Sequence, residues 1–111
     1  MLDKIKHITN SKNCSLRFAW FYDPGIELTA WVNSFTFPEK GYVEIPSTGP
    51  IENHRIKWIE INPVEEKVLG RLIPPKKIFH TKQIIDFLEN KGIEYSFDGE
   101  LIKIDLKENQ L

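Results

Sequence analysis

The side chains able to do chemistry are few and far apart in this sequence. His7, His54 and His80 are its histidines, and none stands in an HxxxH or HExxH spacing, so no pair of imidazoles is set up for a metal ion. His80 adjoins the start of an expected helix, where it reads as a loop support. Cys14 is the single cysteine. A nucleophilic thiol needs a nearby base and a lowered pKa; Cys14 lies in a polar turn without a local signature and reads as a bystander. Glu65-Glu66 and the scattered acids form no readable carboxylate pair and read as solvated charge. Neither GxGxxG nor a Walker A sequence occurs. Arg71, Lys76 and Lys77 stand beside Phe79, a mix suited to single-stranded nucleic acid, yet three cations read better as a solvated loop. These residues predict no catalytic site, no cofactor, no metal site and no enzyme.

The aromatic side chains carry more. Phe18, Trp20, Phe21, Tyr22 and Trp31 fall within 14 residues. On a strand, Trp20 and Tyr22 share one face and Phe21 takes the other. Most of these rings are expected in the core. One or two exposed rings would serve a protein-binding surface, where Trp and Tyr dominate the energetics. The expected partner-binding residues are Trp20, Tyr22, Trp31 and Tyr42, with His54 from the loop 46–54.

The elements that position these residues follow from periodicity. Leu2, Ile5 and Ile8 form a helical stripe over 2–12, ended by the polar run Asn10 to Asn13. Residues 15–22 read as a strand closed by Asp23-Pro24-Gly25. Residues 26–37 fit two patterns, a strand hairpinned back onto 15–22 or a helix with Leu28, Trp31, Val32 and Phe35 on one stripe, and both stay open. Residues 41–45 alternate as a strand, and 46–54 is a loop by composition. Residues 55–61 are a central strand, with Ile56 and Trp58 on one face and Ile59 and Ile61 on the other. Over 64–79, Gly70 interrupts the apolar residues and Pro74-Pro75 forces an extended segment.

The last third is the most legible. Thr81 is the expected N-cap of a helix over 81–92 with Ile84, Ile85 and Leu88 inward. Gly92 is the expected left-handed residue past its end, with Ile93 folding back. Asp98-Gly99 signals a type I′ hairpin over 93–106. That turn pairs Phe97 with Glu100, Tyr95 with Ile102 and Ile93 with Ile104, and faces Ile93, Tyr95, Phe97, Ile102, Ile104 and Leu106 inward. The polar tail 107–111 is expected to fray.

The fold class expected is α+β: a mostly antiparallel sheet with one or two packed helices, ending in a helix and then a β-hairpin, as a single domain over 1–111. Composition agrees, with 41% hydrophobic and 28% charged residues among 111. A net charge of −1 disfavours a dedicated nucleic-acid binder. No apolar run reaches 18 residues, so no membrane partner is expected, and one cysteine with no apolar leader makes the cytoplasm the expected compartment.

Three segments, RIKWIEINP, GRLIPPKKIFH and KQIIDFLENKGIEYSFDGELIKI, resemble a group of small bacterial proteins similar to the immunity proteins of toxin–immunity and contact-dependent inhibition systems. The resemblance covers about residues 55–104 and rests on structural motifs, so it carries over no functional residues. It implies a stoichiometric inhibitor that binds and neutralises a cognate toxin domain. Two rival readings are a small enzyme or ligand-binding domain with a dispersed site, and a homo-oligomeric accessory protein, for which a homodimer is the simplest form.

Overall fold

A computed structural model describes residues 1–106; the expectation for the tail 107–111 lies outside the described residues. In chain order the elements are α1 (Leu2–Ser11), β1 (Ser15–Tyr22), β2 (Gly25–Leu28), β3 (Tyr42–Ile45), β4 (Gly49–Glu52), a 3-10 turn (Asn53–Arg55), β5 (Ile56–Asn62), β6 (Val64–Lys67), β7 (Lys76–Phe79), α2 (Thr81–Asn90), β8 (Ser96–Asp98) and β9 (Leu101–Asp105). A five-stranded antiparallel sheet runs β2-β1-β5-β9-β8, and β3–β4 and β6–β7 form separate antiparallel hairpins. This is the expected α+β class.

One face of the large sheet is the core. Leu16 and Phe18 from β1, Ile59 and Ile61 from β5, and Ile102 and Ile104 from β9 are all fully buried. They join one cluster with Leu2, Ile5 and Ile8 of α1, Ile84 and Leu88 of α2, and Val43, Ile45 and Ile51 of the β3–β4 hairpin. Ile5 is completely buried and Leu2 and Ile8 nearly so, which is the stripe that the three-residue spacing predicts.

Both helices end in the same Schellman arrangement. In α2 the Gly92 N–H donates to Glu89 O and the Ile93 N–H to Leu88 O, with Gly92 at φ +69°. In α1 the Asn13 N–H donates to Asn10 O and the Cys14 N–H to Thr9 O, with Asn13 at φ +55°. Gly92→Ala should destabilise the fold by about 1 kcal/mol, because a Cβ disfavours the left-handed conformation; urea unfolding measures this, and no shift in midpoint would contradict it.

Several expectations change. Of the two patterns open for residues 26–37, the strand hairpinned back onto 15–22 is the one found, over Gly25–Leu28, and no part of 26–37 is helical. β2 pairs with β1, Val32 bridges Leu16, and Thr36 then bridges Glu44. The segment therefore crosses from the large sheet to the β3–β4 hairpin. Residues 46–54 are not a plain loop, because Gly49–Glu52 pairs with β3 and places Ile51 opposite Val43, both buried. The extended segment over 64–79 is a hairpin, with Lys67 opposite Lys76 on the rung next to its connecting loop. Thr81 is the first helical residue; His80 holds the N-cap position without a side-chain capping bond, because its ring is drawn back to Glu65.

Two registers also differ. Ala19 and Trp20 are adjacent on β1 but pair with Trp58 and Ile56, so Lys57 is an extra residue in β5. This bulge rephases the strand. Ile56 joins Ile59 and Ile61 in the core, and Trp58 is left on the outer face with Glu60. In the last hairpin, Phe97 pairs with Ile102 and Asp98 with Leu101. The central turn residues are therefore Gly99 and Glu100, with Gly99 at φ +61° in the position where a II′ turn takes glycine. Each partner moves by two residues, an even number, so the inward face survives and Ile93, Ile102, Ile104 and Leu106 are buried. Phe97, on the short edge strand, stays 53% exposed.

Candidate interaction surface

The opposite face of the sheet holds the best-organised polar group among the described residues. Strand pairing puts Arg17 beside Glu60, and Glu60 beside Lys103. Glu60 is only 4% exposed. Its Oε1 accepts from Arg17 Nε at 2.9 Å and lies 2.8 Å from Arg17 Nη2, and its Oε2 accepts from Trp58 Nε1 at 2.8 Å. Trp31 covers Arg17, whose guanidinium lies 4.5 Å from the indole centroid, and Lys103 Nζ lies 4.3 Å from the Trp58 ring. Burial alone would push the Glu60 carboxyl up. The hydrogen bonds from Trp58 and Arg17 and the charges of Arg17 and Lys103 outweigh it and hold the group below its ordinary value.

Beyond this centre the face turns apolar. Phe21 pairs with Ile26, and Ala19 with Leu28, so these side chains share the outer face with Arg17 and Trp58. Ile26, Leu28 and Phe21 are all exposed. An antiparallel sheet with one wet face ordinarily carries polar residues there, and a contiguous exposed apolar patch marks an interaction site.

The residues expected to bind a partner fall into three places. Trp20 is half-buried and packs on exposed Tyr22, with ring centroids 5.1 Å apart. Trp31 is exposed on the outer face over Arg17. Tyr42 is half-buried opposite Glu52, and exposed His54 places Nδ1 3.5 Å from the Glu52 carboxylate. The turn that carries His54 touches β1, so His54 stands near the strand of Trp20 and Tyr22. Sequence reasoning missed Ile26, Leu28, Trp58 and Glu60 as surface residues. Their signal was cross-strand: Arg17 faces Glu60 only once the β1–β5 register is known.

A second polar group ties β6–β7 to the end of α1. His80 Nε2 lies 2.9 Å from Glu65 Oε1, and Asn13 Nδ2 donates to Glu65 Oε2 at 2.9 Å. The bonds from His80 and then Asn13 hold the Glu65 carboxyl below its ordinary value. Cys14 is adjacent and fully buried. Burial, aided by the Glu65 charge, pushes its thiol up to about 11. A thiol raised in this way is a poor nucleophile. His7 packs instead toward Phe87 of α2, 6.0 Å between centroids, so the three histidines serve three separate places. Among the described residues no three His, Cys, Asp or Glu side chains converge as a metal site.

Comparison with known families matches residues 25–105 to DUF6678, a family of unknown function. The chain belongs to the DUF6678 family. No curated protein and no solved structure matches it. The DUF6678 match runs from β2 to β9. It includes Ile26, Leu28, Trp31, Tyr42, His54, Trp58 and Glu60, and starts after Arg17, Trp20 and Tyr22.

Proposed function

We propose that this DUF6678 protein is a binding module, not an enzyme, and acts in the cytoplasm as an immunity-like inhibitor that neutralises a cognate toxin domain. The observation that carries the reading is the aliphatic edge of the outer sheet face, where Ile26 and Leu28 stand exposed across from Phe21 and Ala19. Next to it, Arg17, Glu60, Trp58 and Lys103 form a rigid, internally paired polar patch. An apolar patch beside fixed charges is the arrangement of a protein-binding surface, with burial supplying affinity and charge supplying selection. Trp20, Tyr22, Trp31, Tyr42 and His54 are its proposed flanking contacts. The toxin reading rests on the resemblance of residues 55–104 to immunity proteins.

The test is to inspect the neighbouring gene for a toxin-like domain and to co-express that domain with this protein, scored by cell survival and by a 1:1 complex on size exclusion; a neighbourhood without such a domain counts against the toxin reading. Ile26→Asp with Leu28→Asp should keep the fold, since both side chains are exposed, and should weaken the complex at least a hundredfold, two truncated contact positions each contributing about 1.5 kcal/mol or more. If the unaltered protein gives neither complex nor protection, the toxin reading fails. A homodimer dispersed by the same two substitutions would replace the toxin with a second copy of this chain.

A further inference from the structure

The β6–β7 hairpin carries a second apolar surface of different character. Its connecting loop exposes Val68, Leu69, Leu72 and Ile73, with Val68 at 79% and Leu72 at 96%. Four cations surround this tip. Lys67 and Lys76 face each other across the last rung of the ladder, Lys77 stands one rung below, and Arg71 lies within the loop. All four are exposed, and none forms an ion pair among the described residues. One carboxylate, Glu66, stands opposite Lys77 on the second rung, and Glu65, one rung nearer the base, is fastened to His80 and Asn13, so the four cations outnumber the single acid beside them. The hairpin is thus anchored at its base and runs to a positively charged collar around an aliphatic tip.

Like charges directly opposite on a ladder are destabilising, and a fully exposed leucine gains nothing from the fold. Both are relieved by one occupant, a surface that is anionic outside and apolar a few ångströms deeper. We propose that this hairpin docks the protein on an anionic lipid surface, with Leu69, Leu72 and Ile73 entering the headgroup–acyl boundary and Lys67, Arg71, Lys76 and Lys77 among the lipid phosphates. The residue types select this occupant. The tip has no aromatic ring to stack on bases or to anchor a protein contact, whereas a fluid acyl boundary accepts aliphatic side chains without shape complementarity. Among the described residues no helix is long and apolar enough to cross a membrane, and surface docking requires none. This inference is independent of the sheet-face reading.

Co-sedimentation with vesicles tests it. Vesicles of phosphatidylcholine and phosphatidylserine at 3:1 should bind the protein, and pure phosphatidylcholine vesicles should not. Half-molar salt should release it. Leu72→Asp with Ile73→Asp should reduce binding at least tenfold with an unchanged circular-dichroism spectrum. Lys67→Ala and Lys76→Ala should each weaken binding about fivefold. Ile26→Asp with Leu28→Asp should bind vesicles as the unaltered protein does. Absence of binding to the anionic vesicles overturns the proposal. So does binding that survives Leu72→Asp with Ile73→Asp, which would be charge adhesion alone, or hairpin-dependent binding seen only with RNA or a protein.

Discussion

Phe18→Ala is expected to destabilise the fold by about 4 kcal/mol, within the range that truncating a buried phenylalanine costs. Phe18 is wholly buried on β1, opposite Ile59 of the central strand. Its ring meets Phe35 edge-on, 5.2 Å between centroids at 78°, a geometry that adds to simple burial. Its backbone also holds the neighbouring segment, with the N–H donating to Thr29 Oγ1 and the carbonyl accepting from the Thr29 N–H. Phe35 belongs to the stretch that leads from β2 to β3, so the ring pair fastens the β3–β4 hairpin to the sheet. The alanine would leave a cavity between two elements that no helix backbone can close. Urea unfolding should show a lower midpoint with an unchanged slope. Trp31→Ala, which removes an exposed ring stacked on Arg17, should cost about 1 kcal/mol or less. Equal losses for the two substitutions would show that the outer face is as much a part of the core as Phe18 is.

That contrast between rings was only half legible in the sequence. Alternation along β1 separates Phe18 from Phe21 and puts Trp20 with Tyr22, and the structure keeps this pattern. Alternation does not say which face the helices cover. Of the five clustered rings only Phe18 is fully buried, so the expectation that most were core fails. The reason is tertiary: both helices and the β3–β4 hairpin pack on the face of Leu16 and Phe18. The helix and hairpin after residue 80 were readable because their signals are local, a left-handed glycine and a two-residue turn. Even there the turn slipped to Gly99-Glu100, and the inward face survived because the shift in pairing is even. The β6–β7 hairpin left little trace because its strands are four residues each and an eight-residue connection with two prolines separates them. The Glu60 site was hidden because Arg17 meets Glu60 only across the β1–β5 ladder, and the bulge at Lys57, by rephasing Ile56, left both faces of β5 reading as apolar.

Glu60→Ala should be the most damaging substitution on the outer face, at about 3 kcal/mol. The figure is the low end of the cost of breaking a buried ion pair by removing one partner, because Arg17 remains 24% exposed and can recruit water. The alanine would leave the Arg17 guanidinium and the Trp58 indole N–H without their acceptor, under the cover of Trp31. Removing Arg17 as well should restore part of the loss: Arg17→Met in the Glu60→Ala background eliminates the unpaired charge, so the double variant should be more stable than the sum of the single losses by about 1–2 kcal/mol. The pH dependence has a definite sign. The folded carboxyl is held below its ordinary value, so between the folded pKa and the unfolded value of about 4.3 the unfolded chain binds more protons. The stabilisation from Glu60 is therefore complete above that unfolded value and is lost as pH falls through it toward the folded pKa. Glu60→Gln removes the titration, so the stability gap between the unaltered protein and Glu60→Gln should be widest at neutral pH and should narrow in acid. A gap that stays constant from pH 7 to about pH 3 would mean that the carboxylate charge does not stabilise this face, and that Arg17, Glu60 and Trp58 cohere through packing alone. The same double variant bears on binding. If the paired charges only hold Trp31 and Trp58 in place, partner affinity should recover with stability; if the partner reads the charges, the double variant should fold and still fail to bind.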